Sequence, residues 1–298
     1  MATRAQIQLL PDGRRLHMHD GPIDLIIEAF GPRTQIQAAY RSASARFVTV
    51  LDELCSELSL LRREPSADAL PEGVIAQRMT RAVSPHSTIA FITPMAAVAG
   101  AVAEEILLAM TTAAKLDRAY VNDGGDIALY LDAGEEFKIG MVERPDGPSL
   151  FGTATLTADL PVRGIATSGW RGRSFSLGIA DAVTVLAGRA AMADAAATMI
   201  ANAVDLPRHP SIGRARACDL APDNDLGERL VTQHVGELSP DEIAAALDAG
   251  EAMASSFLPH GLIHAAALHL QGRTRVVGAT LPCATLNAPT AERGLVHA

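Results

Sequence analysis

Residues Gly164–Val204 read GIATSGWRGRSFSLGIADAVTVLAGRAAMADAAATMIANAV. A Thr-Ser-Gly turn at 167–169 leads through a glycine-bearing loop to a short strand, Ala182–Leu186, and then to an alanine-rich helix. On that helix Asp194, Thr198 and Asn202 recur every four residues, so three oxygen-bearing side chains share one face. A carboxylate one turn before a hydroxyl can share a hard cation. Mg²⁺ favours such a sparse oxygen set, completed by water and phosphates. The same spacing also describes a solvated helix face.

Upstream of this stretch, Ile7–Leu10, Arg14–His19 and Ile23–Phe30 are separated by Pro11-Asp12-Gly13 and Gly21-Pro22, which predicts a three-stranded antiparallel meander. His17 and His19 alternate with Leu16 and Met18, so they share one sheet face, either exposed or able to meet a metal. Apolar residues spaced by threes and fours predict a long amphipathic helix from Thr34 to Arg62. A polar linker, Glu64–Gly73, precedes a second helical stretch, Ile75–Arg81, and the loop after it is expected to leave His86 exposed. Thr93 as N-cap and Pro94 at the first helical position open a third helix, whose first half is nearly all small residues suited to close packing.

Arg118–Val121 and Ile127–Leu131 flank Asn122-Asp123-Gly124-Gly125-Asp126 and read as strand, turn, strand. Paired glycines permit positive φ and leave backbone N–H groups bare. This can be a plain hairpin turn or an anion nest. Phe137–Val142 reads as a further strand, and residues 207–225 as an irregular stretch whose Arg208, Arg214 and Arg216 meet solvent or an anion. Ser239-Pro240-Asp241-Glu242 is a capping box that starts a helix running to Ser256. Residues 262–278 read as strand, Gln271-Gly272 turn and return strand. His264 and His269 then point to opposite faces, which disfavours zinc. The tail after Leu281 is expected to be disordered in part.

A chain of 298 residues can bury a large core, either as a single domain over 1–298 or with a subdivision at 1–115 and 116–298. Three scattered cysteines, Cys55, Cys218 and Cys283, form neither a disulfide framework nor a paired-cysteine metal site. A net charge of −9 excludes nucleic acid as an expected partner. No run approaches 18 uncharged apolar residues, and MATRAQIQLLPDGRR lacks the apolar core of a signal peptide, so the expectation is a cytoplasmic protein with no membrane span. Alanine-rich helices and the meander edge suit a homo-oligomer.

Taken in order, VNDGGDIAL at 121–129, ATSG at 166–169 and DAVTVLAG…AAMADAAATMIANAV at 181–204 resemble the ApbE family, the FAD:protein FMN transferases. With TPMAAVAGAVAEE at 93–105 and HDGPIDLIIEAFG at 19–31, the chain is more similar to an uncharacterised ApbE-like family of bacteria and archaea. The resemblance spans residues 14 to 204 in pieces. It implies an α+β fold of antiparallel sheets flanked by long helices, ApbE-like and akin to the T-fold. It also implies a small-molecule pocket for a flavin (FAD or FMN) or another nucleotide, formed by Gly124, Gly125, Asp126, Thr167, Ser168 and Gly169, with Mg²⁺ held by Asp194 and Thr198.

The chain departs from the transferases between the Ser-Gly turn and the strand. They carry a histidine in an H-x-x-D-P-x-T-G loop; here the residues are WRGRSFSLGIADAV, and the N-terminal Met-Gly-Thr segment that helps hold FAD is also missing. Flavinyl transfer to a protein threonine is therefore not expected. Asp181, where that loop would rejoin, could do acid–base work or cap the loop. Three functions follow: an enzyme with a Mg²⁺-assisted flavin or nucleotide site, an enzyme acting on a pterin-type heterocycle by fold analogy, or a non-catalytic flavin-binding or accessory protein.

Overall fold

A computed structural model describes residues 4–142, 150–278, 283–284 and 295–297. The strands are β1 (Gln6–Leu9), β2 (Leu16–Asp20), β3 (Ile23–Phe30), β4 (Arg118–Asp123), β5 (Asp126–Leu131), β6 (Glu136–Val142) and β7 (Leu150–Thr157). They continue with β8 (Gly164–Ser168), β9 (Ala182–Ala187), β10 (Ile212–Arg216), β11 (Leu230–Val235), β12 (Ala265–Leu270) and β13 (Arg273–Gly278). The helices are α1 (Arg33–Ser56), the one-turn α2 (Leu58–Leu61), α3 (Val74–Val83), α4 (Val98–Ala113), α5 (Ala190–Ala203), the one-turn α6 (Ala217–Leu220) and α7 (Pro240–Phe257).

Nine strands form one sheet in the order β1-β2-β3-β4-β5-β8-β9-β12-β13, every neighbouring pair antiparallel. The fold is thus the expected α+β arrangement of antiparallel sheet and long helices. α1, α4, α5 and α7 lie side by side on one face, over β2–β3, β4–β5, β8–β9 and β12–β13 in turn. A second sheet built on the β6–β7 hairpin covers the other face. Alternate residues feed the two layers. Val121, Ala128 and Val185 join the helix-side core, whereas Tyr120, Ile127 and Leu186 join Phe137, Ile139 and Leu156 on the other side. β9 is buried at every position because both of its faces are covered.

β2 buries Leu16, Met18 and Asp20 and leaves His17 and His19 half-buried on the opposite face, where His17 Nε2 lies 2.6 Å from Asp24 Oδ1. The C-terminal hairpin forms as read, with His269 buried and bonded to Thr274. Ser239 and Glu242 make the reciprocal capping box of α7.

Three expectations are corrected. Thr93 caps not an α-helix but a 3₁₀ turn, Pro94–Ala97, and α4 begins only at Val98. His86 is not exposed: it is buried against Phe257, ring centroids 4.7 Å apart, and burial pulls its pKa down to about 4. The stretch 207–225 is not irregular throughout, since it holds β10, which pairs with β11, and α6. Arg214 there pairs with Asp205, and Arg216 with Asp219.

Pro94–Ala113, with mean hydropathy 1.5, is long and apolar enough to cross a membrane by composition. A scan for uncharged runs passes over it because Glu104 and Glu105 interrupt it. In the fold both carboxylates are paired with arginines, and α4 packs between α1 and α5. The tail after Leu281 lies outside the described residues except at 283–284 and 295–297.

Where α4 crosses α5 the two helices cap each other. The N–H groups of Gly100 and Ala99, in the first turn of α4, donate to Asp194 of α5, the Gly100 bond being 3.0 Å long. Reciprocally, Ala191 N in the first turn of α5 donates to Glu104 of α4 at 2.9 Å. A Cβ on Gly100 would lie 2.4 Å from the Ala190 carbonyl oxygen, so only glycine allows this approach.

Candidate functional site

β5 and β8 pair over only two positions, Ile127↔Ile165 and Ala128↔Gly164. Beyond them a side chain replaces the backbone ladder: Thr167 N donates to Asp126 Oδ1 at 3.3 Å. Over this opening lies a cavity of about 800 Å³, a size that suits a small-molecule ligand. The Gly124-Gly125-Asp126 turn, the Thr167-Ser168-Gly169 turn, and Asp194 and Thr198 on α5 all border it. Fold topology thus brings together the eight residues that the family resemblance assigned to the pocket and its metal.

Each wall follows from local chemistry. Gly124 and Gly125 have φ of +65° and +116°, and Asn122 Oδ1 accepts the Gly125 N–H at 2.8 Å, closing the two-residue turn. The fourth wall is the 3₁₀ turn ahead of α4 and that helix's first residues, through Met95, Ala96, Val98 and Ala99. Thr93 holds this turn, accepting from Met95 N and donating to Asp225 Oδ2 at 2.5 Å.

The stripe on α5 is not a solvated face. Asp194 caps α4, Thr198 borders the cavity, and Asn202 Oδ1 accepts from Leu177 N at 2.9 Å and from Ser176 Oγ at 3.3 Å. Asn202 thereby fastens the segment that leads from the Ser-Gly turn to β9.

Asp181 is absent from the cavity lining. It is buried and accepts from Arg171 Nε at 2.7 Å, from Gln271 N at 2.7 Å and from Trp170 Nε1 at 3.2 Å. These three donors fit the loop-capping alternative for this residue.

Asp225, Arg171 and Arg173 border the cavity without a sequence signal that assigns them to it, as does Asp123, which the linear pattern places only in the Gly-Gly turn. Asp123, Asp126 and Asp194 form the electrostatic centre. Burial, and then the neighbouring Asp126, push the Asp123 carboxyl up to about 8. Burial first and Asp194 second raise Asp126, while burial and Asp123 raise Asp194 against the lowering effect of the α4 amides. Arg173 opposes the rise at Asp123 and Asp126.

The donors around this centre are carboxylate, hydroxyl and bare backbone, which suits a hard, oxygen-seeking cation. Among the described residues no three His, Cys, Asp or Glu side chains come together as a metal group. A cation here would need ligand phosphates and water to complete its shell, and that requirement is compatible with Mg²⁺, which keeps waters and uses one or two carboxylates.

Comparison with known proteins supplies three findings. The model of a family described as "AbpE bacteria" matches residues 7–276. The UPF0280 protein of Methanopyrus kandleri is 38% identical over 160 residues, covering 53% of this chain and 61% of that protein. The UPF0280 protein of Methanothermobacter thermautotrophicus is 34% identical over 174 residues, covering 53% and 62%. The chain therefore spans about six-tenths of the length of these curated relatives. Among solved structures, the Pseudomonas stutzeri flavinyl transferase ApbE in its apo form aligns over 93% of this chain and 94% of that one, with 10% identity and a TM-score of 0.42. A Vibrio cholerae flavin transferase ApbE aligns over 93% and 97%, with 11% identity and a TM-score of 0.37.

Proposed function

The chain belongs to the AbpE bacteria family, and from that premise we propose that its cavity binds a phosphorylated nucleotide of the flavin class together with Mg²⁺, without transferring FMN to protein. The observation that carries this is the meeting, in one cavity, of three mutually repelling aspartates with bare glycine backbone and arginine. Asp123, Asp126 and Asp194 raise one another's pKa, a repulsion that a divalent cation would relieve. The two glycine turns and the arginines at 171 and 173 offer N–H groups of the kind that phosphate accepts.

In this reading Asp194 and Thr198 hold the cation from α5 and Asp126 holds it from β5, while Asp194 keeps one oxygen on the α4 amides. Bound there, the cation neutralises phosphate oxygens and orients the ligand. Binding without flavinyl transfer is supported by the segment after the Ser-Gly turn. It has no histidine, and its one carboxylate, Asp181, is occupied by three donors away from the cavity.

Isothermal titration with FAD, FMN and ADP, each with and without Mg²⁺, tests this. We expect Mg²⁺-dependent binding that Asp126→Asn weakens by about tenfold or more, equivalent to about 1.4 kcal/mol. Asp194→Asn is the better second variant than Asp194→Ala, because it keeps an acceptor for the Gly100 N–H. A folded protein that binds none of the three nucleotides overturns the proposal. Mass spectrometry of a threonine-bearing acceptor peptide incubated with FAD and Mg²⁺ should show no FMN adduct; an adduct would refute the second half.

A further inference from the structure

The two arginines of the cavity differ in how they are held. Arg171 is fixed, with Nε on Asp181 and its guanidinium 4.3 Å from the Trp170 ring centroid. Arg173 is exposed, follows Gly172, and reaches back over the Gly124–Gly125 turn. A Cβ on Gly124 would lie 1.5 Å from Arg173 Nη2, so the guanidinium rests in space that only glycine leaves open. From there its charge acts on both Asp123 and Asp126.

We propose that Arg173 is a place-holder for the cation: in the ligand-free protein its guanidinium lies on the Gly124–Gly125 turn as the counter-charge to Asp123 and Asp126, and it gives up that place when a divalent cation arrives. This rests on the cation reading proposed above. A guanidinium suits the role because it is permanently charged yet weakly hydrated, so it can lie on the turn within through-space reach of Asp123 and Asp126 without a large desolvation cost. Its tether gives it a high effective concentration at the turn, so an incoming ion must compete with it. One guanidinium set against Asp123 and Asp126 leaves the pair short of positive charge, which favours an ion of higher charge. The exposed segment from Gly172 to Phe175 gives the side chain room to leave.

The test uses Mn²⁺ alone as the probe, with no nucleotide, followed by electron paramagnetic resonance of the free ion. The parent, Arg173→Gln, Arg173→Lys and Asp126→Asn are compared, each with its fold checked by circular dichroism. Arg173→Gln should bind Mn²⁺ about tenfold more tightly than the parent, and Arg173→Lys should stay near the parent because the charge remains. In parallel, ¹⁵N relaxation of the Arg173 Nε–H should report an ordered side chain in the metal-free parent that loosens at saturating Mg²⁺.

Unchanged or weaker Mn²⁺ binding in Arg173→Gln overturns the place-holder, as does an Arg173 side chain already mobile without metal. If the parent binds Mn²⁺ and Asp126→Asn does not, the cation reading stands whatever Arg173 does. If neither parent nor Arg173→Gln binds Mn²⁺, the place-holder falls, and the cation reading is then decided by the nucleotide titrations with and without Mg²⁺.

Discussion

Two groups of charge lie on either side of the α4–α5 crossing, and they are built in opposite ways. On the α1–α3–α4 side, Arg46 bonds Glu53 and Glu105 at 2.7 Å each, and Arg78 bonds Glu105 at 2.9 Å and Glu104 at 3.2 Å. Burial pushes Glu105 up, but hydrogen bonds from Arg46 and Arg78 outweigh it and hold the carboxyl below its ordinary value. On the cavity side Asp123 is buried and Asp126 and Asp194 are half-buried; Arg173 acts on Asp123 and Asp126 only through space, and all three carboxyls rise. Burial is common to both groups; partners are not. A paired cluster contributes to holding the helices, whereas an unpaired one holds protons that an arriving cation can displace.

The comparison can be broken most directly in the paired cluster. Glu105→Ala strips Arg46 and Arg78 of a shared carboxylate and should lower stability by about 2–3 kcal/mol, measured by urea unfolding. A loss below about 0.5 kcal/mol would mean that these pairs behave as surface ion pairs.

The pH response sharpens the contrast because Asp123 and Glu105 carry opposite signs. Asp123 has a folded pKa of about 8 against an ordinary 3.8, so the folded state keeps a proton that the unfolded chain releases in between. Its contribution is full below 3.8 and declines as pH rises to about 8, by at most about 1.4 kcal/mol per pH unit. Glu105 acts the other way: its folded pKa is lowered, so its contribution is present above 4.5 and is lost as pH falls through the folded value. Metal-free parent and Asp123→Asn should therefore differ in the slope of unfolding free energy between pH 5 and 8. Equal slopes would remove Asp123 from the account.

The smallest expected effect has the reverse sign of the first. Asp126→Asn keeps an acceptor for Thr167 N while removing one repelling charge, and should raise stability at pH 8 by about 1 kcal/mol even as it weakens cation binding. Destabilisation by the same change would mean that Asp126 is held by partners as Glu105 is.

Much of the fold was legible because its signals are local. The meander, the Gly-Gly hairpin, the α5 helix and the capped α7 follow from turn residues, apolar period and caps. β10 escaped because IGRAR offers no alternation of apolar and polar residues, and its pairing with β11 depends on a distant strand. His86 was misjudged because its partner, Phe257, comes from the end of α7. The candidate site residues were legible as motifs, but the roles within the α5 stripe were not. Asp194 caps a helix, Asn202 ties a loop, and only the contacts of α4 and residues 176–177 distinguish them.

Sequence alone determined most of the strands, turns and helices that carry local signals, and that oxygen donors at 194 and 198 share a helix face with glycine turns elsewhere in the chain. Tertiary structure decided that these pieces border one cavity, that Asp123 joins Asp126 and Asp194 there, and that Arg173 lies over Gly124. The physical reason is range. Backbone preference and side-chain period act within a few residues, whereas a carboxyl's charge state depends on burial and on neighbours brought from other elements across the sheet.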